Sequence, residues 1–314
     1  MKYYKLRVFR RLVKMINDAE ADRAPKTDGI VAYPDISYCG DGTEGHKLDV
    51  SVPAEQKETL PAVIYFHGGG WSLSDKKHFR YFCQRVAAGG YAVFNANYRL
   101  APEYSHPAQL MDALSAMEWV KLHAGEYGAD PSRIVLAGDS SGAHLASLAA
   151  CVCTGPELAA YYKAPAPFSR RELCGCVLFC GSYDLPSCVE SQFPLIKDYV
   201  GALLGTRDTA GYPDIDTLSS VKQMNPDFPP SLVSDAVQDK LIGQSRSLIE
   251  AMEQNGVRHT DLLLEDTGRA SPHEYQIEYK KPVFDTCMDA TLNFLRECTA
   301  AQRGGASFAV SESL

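Results

Sequence analysis

Short apolar runs alternate with longer segments of helical period from about residue 61 onward. The strand-like runs lie near 62–66, 92–96, 134–137, 176–180, 231–236 and 260–265. The helix-like segments lie near 76–89, 107–124, 141–154, 240–255 and 276–298. Nearly continuous apolar runs are typical of strands buried on both faces, as in a parallel sheet. The order of elements therefore predicts an α/β fold in which helices cover both faces of a mostly parallel sheet.

The first 60 residues predict a helix followed by a hairpin. The helix carries apolar residues at i, i+3, i+7 and i+10, which are Leu6, Phe9, Val13 and Ile16. We expect this stripe to pack on the rest of the chain. The alternative is that the helix, which is rich in Lys and Arg, lies on an anionic membrane surface. A glycine-rich turn joins two candidate strands near 35–39 and 46–53, which predicts the hairpin.

One connection is much longer than the others. Between Asp184 and Pro230 lie about 45 residues, whereas loops in α/β domains usually have about 2–6 residues. This segment contains a candidate helix at 191–204 and a stretch rich in Gly, Pro and Asp, which suits a lid over a site. We therefore expect a single domain over residues 1–314 in which residues 1–30 and 185–229 form a cap.

Composition excludes several classes of protein. The 314 residues are 45% hydrophobic, and 31 Lys and Arg against 39 Asp and Glu give a net charge of −8. This balance disfavours binding to nucleic acid. No apolar run approaches the roughly 18 residues that a membrane-spanning helix needs. The chain is expected to be a globular protein without a membrane span.

The ten cysteines lack the paired C-x₂-C spacing of zinc sites and the density of a disulfide scaffold. We expect free thiols, no metal site and no disulfide framework. The N-terminal residues are basic but lack the apolar stretch of a secretory signal. These features together predict a cytoplasmic protein.

The strongest local signal for chemistry is the stretch Gly138-Asp139-Ser140-Ser141-Gly142, which lies between a predicted buried strand and a predicted helix. A G-x-S-x-G motif at such a junction is typical of a nucleophile elbow. The two glycines allow a sharp turn that raises the central serine from the sheet. The spacing makes Ser140 the candidate nucleophile. The competing interpretation is a chance turn of small residues.

A second signal follows an earlier strand, in the stretch His67-Gly68-Gly69-Gly70-Trp71. Consecutive glycines let backbone N–H groups approach a ligand closely, as an oxyanion hole requires. A phosphate-binding loop is the alternative, but neither G-x-x-x-x-G-K-[ST] nor G-x-G-x-x-G occurs here. His67 precedes the elbow and is expected to shape the loop rather than act as a base.

Four stretches match one known family in order and spacing. They are His67-Gly68-Gly69-Gly70-Trp71, Tyr98-Arg99-Leu100-Ala101-Pro102-Glu103, His106-Pro107-Ala108 with Asp112, and Gly138-Asp139-Ser140-Ser141-Gly142. Over about residues 33–298 the chain resembles the hormone-sensitive-lipase-like esterases, the bacterial family IV carboxylesterases of the α/β-hydrolase fold. The resemblance implies a mostly parallel eight-stranded sheet, a helical cap, and a serine hydrolase that needs no cofactor and no metal.

The resemblance also implies positions for the acid and the base. Asp239 lies where the family has its catalytic acid, with Lys240 in place of the usual Pro, and Asp235 is the rival. His273 is the expected base because it follows the last strand, whereas His144 and His259 are expected to be structural. The family's His-Gly-Phe motif is His-Glu-Tyr here. The implied triad is Ser140, Asp239 and His273.

Further roles follow from the same resemblance. The N–H groups of Gly69, Gly70 and Ser141 are the expected oxyanion hole. Trp71, Gly68 and Asp139 are candidate residues of the substrate pocket, although Gly68 could instead shape the turn and Asp139 could brace the elbow. A final group is expected to fix a loop, namely Arg99, Glu103 and Asp112.

The expected reaction is hydrolysis of short-chain acyl esters, from acetyl to butyryl, through an acyl-enzyme intermediate. The partner is then a small-molecule ester. Hydrolysis of amides, such as formamides or arylacetamides, is the alternative on the same triad. A non-catalytic receptor of this fold is disfavoured because the catalytic histidine is present at His273. A homodimer is possible, and the motifs do not identify the natural substrate.

Overall fold

The computed structural model describes residues 3–300, apart from the side chain of Lys5, so the outermost ends of the predicted domain lie outside the described residues. The strands are β1 Ile30–Ser37, β2 Lys47–Pro53, β3 Leu60–Phe66, β4 Ala92–Ala96, β5 Ala129–Asp139, β6 Leu173–Phe179, β7 Ser231–Ala236 and β8 His259–Leu264. They form one eight-stranded sheet in the order β1-β2-β4-β3-β5-β6-β7-β8. Pairing is antiparallel between β1 and β2 and between β2 and β4, and parallel elsewhere. The predicted sheet is confirmed.

The predicted hairpin is confirmed, with Ile36 opposite Leu48. Its first strand begins at Ile30 rather than near residue 35. The reason is that β1 is an edge strand with mostly exposed side chains, so its first half carries no buried apolar run by which the sequence could show it.

The helices are α1 Tyr4–Ala21, α2 Lys76–Ala88, α3 Ala108–His123, α4 Ser141–Thr154, α5 Pro156–Tyr162, α6 Leu185–Glu190, α7 Ile196–Leu204, α8 Ile242–Gln254 and α9 Pro282–Ala300. Two predicted boundaries are wrong. The candidate helix at 191–204 is only α7, and α9 begins at Pro282 rather than near 276. Proline fits the first turn of a helix but not its interior, which explains the later start of α9.

The sheet lies between two apolar layers, as β3 illustrates. Ile64 and Phe66 belong to a buried cluster with side chains of α3, α4 and α8. Val63 and Tyr65 point the other way, into a cluster with side chains of α2 and α9. Successive strand residues face opposite sides of a sheet, so a strand buried on both sides needs apolar residues at every position.

The N-terminal helix packs on the rest of the chain along a narrower strip than predicted. Leu6 is buried and Val13 packs against the same cluster, but Phe9 is 37% and Ile16 is 56% exposed. Arg10 explains the difference, because its side chain turns inward and donates to the Ser72 carbonyl oxygen at 2.5 Å. None of the described helices is long and apolar enough to cross a membrane.

The long connection lies beside α1. Tyr3 Oη donates to the Gly201 carbonyl oxygen in α7 at 2.5 Å. A third apolar cluster joins α1, α6 and α7 to Trp71 in the glycine loop and to Leu145 in α4. Both predicted cap segments therefore lie at the edge of the sheet where the strands end.

Glycine at position 142 permits the closest backbone approach in this region. A Cβ there would lie 2.0 Å from the Phe66 carbonyl oxygen and 2.6 Å from that of His67. We predict that Gly142→Ala lowers the free energy of unfolding by about 3 kcal/mol, since the backbone of β3 has to move. Gly243→Ala is the control because nothing lies within 4 Å of its Cβ position in α8, and it should stabilise by about 0.5–1 kcal/mol. Equal urea midpoints for the two variants would contradict the prediction.

Candidate active site

Ser140 lies in a strained turn between β5 and α4. Its φ of 49° and ψ of −118° are unusual for a residue other than glycine. Its N–H donates to the Phe179 carbonyl oxygen at 2.8 Å. A Cβ on Gly138 would lie 2.5 Å from the carbonyl carbon of Gly142. Small residues at both positions therefore allow the turn, and the hydroxyl of Ser140 lies beyond the end of the sheet.

The structure brings the three predicted triad residues together. His273 Nε2 lies 3.0 Å from Ser140 Oγ, and His273 Nδ1 lies 2.6 Å from Asp239 Oδ2. The other oxygen of Asp239 accepts the Leu241 N–H at 2.9 Å. These distances form a continuous chain of hydrogen bonds from carboxylate to imidazole to hydroxyl.

The rival acid, Asp235, has different partners. It lies within β7, fully buried, and accepts hydrogen bonds from Ser245 Oγ at 2.6 Å and from the Ala236 N–H at 2.8 Å. Burial, reinforced by the charge of Asp239, raises the pKa of Asp235. Asp235 therefore lies behind the acid that contacts His273.

The other candidate histidines have structural partners. His67 Nδ1 lies 2.8 Å from the Gly68 carbonyl oxygen, and its ring stacks on Tyr98 at 4.5 Å between centroids. His144 accepts from Trp71 Nε1 at 3.2 Å and donates to the Leu218 carbonyl oxygen at 2.8 Å. Burial lowers the pKa of both imidazoles to about 4, so both are neutral near pH 7. His259 opens β8, away from Ser140.

The glycine loop curves beside Ser140. Gly69 and Gly70 have φ values of 111° and 58°, which favour glycine. Among the described residues, no backbone carbonyl oxygen accepts a loop hydrogen bond from the N–H of Gly69, Gly70 or Ser141. The turn itself is held by the Leu73 N–H, which donates to the Gly69 carbonyl oxygen at 2.8 Å. These three N–H groups are therefore available to a bound group.

A cavity of about 200 Å³ opens onto Ser140 and His273. Its walls come from the glycine loop, from α1 and from the long connection, and they include Trp71, Phe9, Val13, Phe193, Ile196 and Tyr199. Trp71 thus lies where the pocket was predicted. Gly68 and Asp139 do not line this cavity, and that prediction is corrected: Asp139 is fully buried behind the glycine loop, where it accepts the Gly68 N–H at 3.0 Å.

The residues that were predicted to fix a loop, namely Arg99, Glu103 and Asp112, form two separate sets of ion pairs. Arg99 forms a two-pronged ion pair with Asp112, with distances of 2.6 and 2.9 Å. Glu103 instead binds α1, through Arg7 at 2.8 Å and Arg10 at 2.9 Å. The bidentate geometry of the Arg99–Asp112 pair fixes the loop, while Glu103 connects the loop to the N-terminal helix.

The electrostatics favour a basic imidazole at position 273. Desolvation alone would lower the pKa of His273, but the hydrogen bond and charge of Asp239, followed by the charges of Glu274 and Asp235, more than offset it. The pKa of His273 is therefore raised above its usual value. A raised pKa strengthens the imidazole as an acceptor of the Ser140 proton.

One group in the site has the residue types of a metal site. Donor atoms of Cys180, Asp239 and His273 lie within 4.8 Å of one another. However, burial raises the pKa of the Cys180 thiol well above its usual value, and His273 and Asp239 bind each other directly. The arrangement fits a hydrogen-bonded pair better than a metal centre, and all ten cysteines are free thiols.

Comparison with known proteins shows the family to which this chain belongs. The family model BD-FAE matches residues 48–252. The chain belongs to the BD-FAE family. The matched residues include the glycine loop, the Ser140 elbow and Asp239, whereas His273 lies beyond them.

Two curated relatives of this BD-FAE domain carry esterase or lipase names. Lipase 2 of Moraxella sp. (strain TA144) is 40% identical over 136 residues, which cover 41% of this chain and 31% of that protein. Carboxylesterase NlhH of Mycobacterium tuberculosis is 40% identical over 111 residues, 35% of each protein. The alignments thus span about a third of these relatives. The predicted relationship to the hormone-sensitive-lipase-like esterases is confirmed.

The fold of this BD-FAE-family chain is that of a solved esterase. Esterase B from Lactobacillus rhamnosis superposes with a TM-score of 0.85 at 23% identity, covering 95% of this chain and 96% of the other. The predicted α/β-hydrolase fold is confirmed.

Phe193, Tyr199 and Glu274 are among the cavity residues that were not identified from the sequence. Phe193 and Tyr199 lie in the long connection, and nothing in their linear spacing indicates that they face Ser140. The Phe193 ring lies 4.6 Å from that of His273, and Tyr199 packs on Gly70. Glu274 also lines the cavity. The sequence signal for Glu274 was that it replaces the glycine of the family's His-Gly-Phe motif.

The hydrogen bond between His273 and Asp239 makes a direct prediction. Asp239→Asn should lower the pKa of His273, because it removes the strongest contact that favours the imidazolium. Asp235→Asn should lower it less, since Asp235 acts without a hydrogen bond to the ring. An NMR titration of ¹⁵N-labelled histidine measures both shifts. An unchanged pKa in Asp239→Asn, or a larger fall in Asp235→Asn, would contradict the assignment.

Proposed function

We propose that this chain is a carboxylic ester hydrolase with Ser140 as nucleophile, His273 as base and Asp239 as the residue that orients His273. One observation carries the proposal: His273 lies 3.0 Å from Ser140 Oγ and 2.6 Å from Asp239 at the bottom of a cavity. In this mechanism His273 takes the hydroxyl proton while Ser140 Oγ bonds to the ester carbonyl carbon. Asp239 holds the ring in the required tautomer and stabilises the imidazolium.

The tetrahedral intermediate has a negative oxygen that needs donors. We assign this role to the N–H groups of Gly69, Gly70 and Ser141, with each donor worth about 3 kcal/mol by analogy with measured deletions. Collapse of the intermediate breaks the bond to the leaving alcohol, which takes the proton from His273. Water then attacks the acyl-enzyme by the same route, so the reaction uses only side chains, backbone groups and water.

We propose short acyl chains, from acetyl to butyryl, as substrates. The supporting observation is the size of the cavity, about 200 Å³, with aromatic walls close to the base. A phosphonate related to tributyrin inhibits the structural neighbour Esterase B in one of its structures. The cytoplasmic location and the homodimer stay predictions from sequence.

The first experiment is hydrolysis of p-nitrophenyl esters from acetate to palmitate. Activity should peak at acetate or butyrate, and Ser140→Ala and His273→Ala should each lower kcat by about 10⁴ or more, since triad members act as one unit. His259→Ala is the matched histidine control and should retain activity. No turnover of any ester by the wild type would contradict the proposal, and the matching p-nitroanilide series would then test amides.

The acid is tested separately. Asp239→Asn should lower kcat by about 10⁴, because the imidazole loses its correct tautomer. Asp235→Asn should retain most of kcat, because Asp235 binds Ser245 and not His273. If Asp235→Asn lowered kcat more than Asp239→Asn did, the acid would be Asp235 instead.

We also propose that residues 1–30 and 185–229 act as a cap that limits acyl length. Phe193→Ala should increase the ratio of octanoate to butyrate kcat/KM by about tenfold, as a pocket gains room for further methylene groups. Leu195→Ala is the control from the same segment, because Leu195 is 46% exposed and does not line the cavity. If the two variants have the same chain-length profile, Phe193 is not a wall of the acyl pocket.

A further inference from the structure

Asp139 is a buried carboxyl with an incomplete set of partners. Its Oδ1 accepts from Tyr65 Oη at 2.7 Å and from the Gly68 N–H at 3.0 Å. Its Oδ2 is buried and has no donor among the described residues. A buried carboxylate oxygen without a donor is costly, so this oxygen needs an explanation.

Glu274 supplies a carboxyl to the same place. A Cβ built on Gly68 would lie 2.2 Å from Asp139 Oδ2 and 2.6 Å from Glu274 Oε1, so both oxygens flank one point behind the glycine loop. Two acceptors facing each other repel unless a proton lies between them. No described ion pair involves either carboxyl.

Glu274 occupies a backbone position that favours glycine. Its φ of 59° lies in the left-handed region, where a residue with a Cβ is strained. The position thus combines strain with a second carboxyl beside a buried one. Such departures from local preference are expected at sites where the side chain has a function.

We propose that Asp139 and Glu274 share one proton, donated from Asp139 Oδ2 to Glu274 Oε1, and that this acid pair positions the glycine loop through the Gly68 N–H. Glu274 is then a positioning residue for the hydrolysis proposed above, on which this inference rests. The pair completes the hydrogen bonds of Asp139 and carries one negative charge in total. No covalent bond changes.

The surroundings favour one proton in the pair. Burial, reinforced by the charge of Glu274, raises the pKa of Asp139 well above its usual value. Titratable groups face the pair from several elements, namely Tyr65, Cys83, Tyr98, Cys180, Tyr199 and His273. An adjoining cavity of about 330 Å³ also contacts Glu274 and contains the charged or polar groups Glu20, Lys26, Lys77, His78, Arg80 and Tyr279.

The cations of that cavity are largely engaged elsewhere. Lys77 pairs with Asp22 at 2.8 Å, and Arg80 pairs with Asp49 at 2.8 Å. A proton on Asp139, rather than a salt bridge to Glu274, therefore removes one of the two negative charges. When the pH rises far enough to remove that proton, the buried carboxylate of Asp139 and the half-buried carboxylate of Glu274 repel each other beside Gly68.

This arrangement affects both the alkaline and the acidic limb of the pH profile of kcat. Loss of the shared proton should lower kcat at alkaline pH, because the loop that carries Gly69 and Gly70 is displaced. The charge of Glu274 also raises the pKa of His273. Glu274→Gln should therefore move the acidic limb to lower pH and remove the alkaline fall, because its amide can donate to an ionised Asp139.

The experiment is the pH dependence of kcat and KM on p-nitrophenyl acetate. Besides Glu274→Gln, it compares Asp139→Asn, whose amide donates to Glu274 as the protonated acid does, with Asp139→Ala. The Asn variant should retain kcat within about tenfold at neutral pH, whereas the Ala variant should lose about 10²-fold or more, as when an oxyanion donor is misplaced. Glu265→Gln, an exposed carboxyl after β8, is the control and should keep the wild-type profile.

A measurement without substrate keeps this inference separate from the proposed function. The infrared difference spectrum of the wild type minus Asp139→Asn at neutral pH should contain the C=O band of a buried protonated carboxyl. The same band should persist in Asp235→Asn, which removes the other buried carboxyl whose pKa is raised. Absence of that band, or equal loss of kcat in Asp139→Asn and Asp139→Ala with intact folding by circular dichroism, would overturn the shared proton. An inactive wild type that shows the band would contradict the esterase proposal alone.

Discussion

The close approach of two backbones at Gly142 is the constraint on which the rest of the site depends. Because position 142 has no side chain, the start of α4 lies against the carbonyl oxygens at the end of β3. This contact places the glycine loop after β3 next to the serine after β5. Ser140 and the N–H groups of Gly69 and Gly70 therefore meet through backbone packing, without any long side chain between them.

Proton placement, more than ion pairing, controls the charge around His273. Asp239 contacts the imidazole directly, whereas burial and the charge of Asp239 raise the pKa of Asp235. Asp139 has only neutral donors and faces Glu274. A buried carboxyl can be ionised only where donors surround it, and otherwise its pKa rises. His273 can thus lie close to Asp239, Asp235 and Glu274 because the buried carboxyl groups of this region do not all carry a charge.

The walls of the cavity are separate from the core of the sheet. They come from α1 and from the 185–229 connection, which pack as their own apolar cluster above the strand ends. Arg7 and Arg10 attach α1 through Glu103. Phe193 packs against the His273 ring, so this cluster also borders the residues around Ser140.

The sequence by itself determined the chain order of most strands and helices and the candidate turn at Ser140, because buried strands and a tight turn require particular residues at fixed spacing. Asp239 and His273 were predicted from the family resemblance. Tertiary structure alone decided the inward turn of Arg10, the exposure of Phe9, and the meeting of Asp139 with Glu274, 135 positions apart in the chain. Those outcomes depend on how separate segments pack in three dimensions, and the spacing of residues along one segment contains no information about such packing.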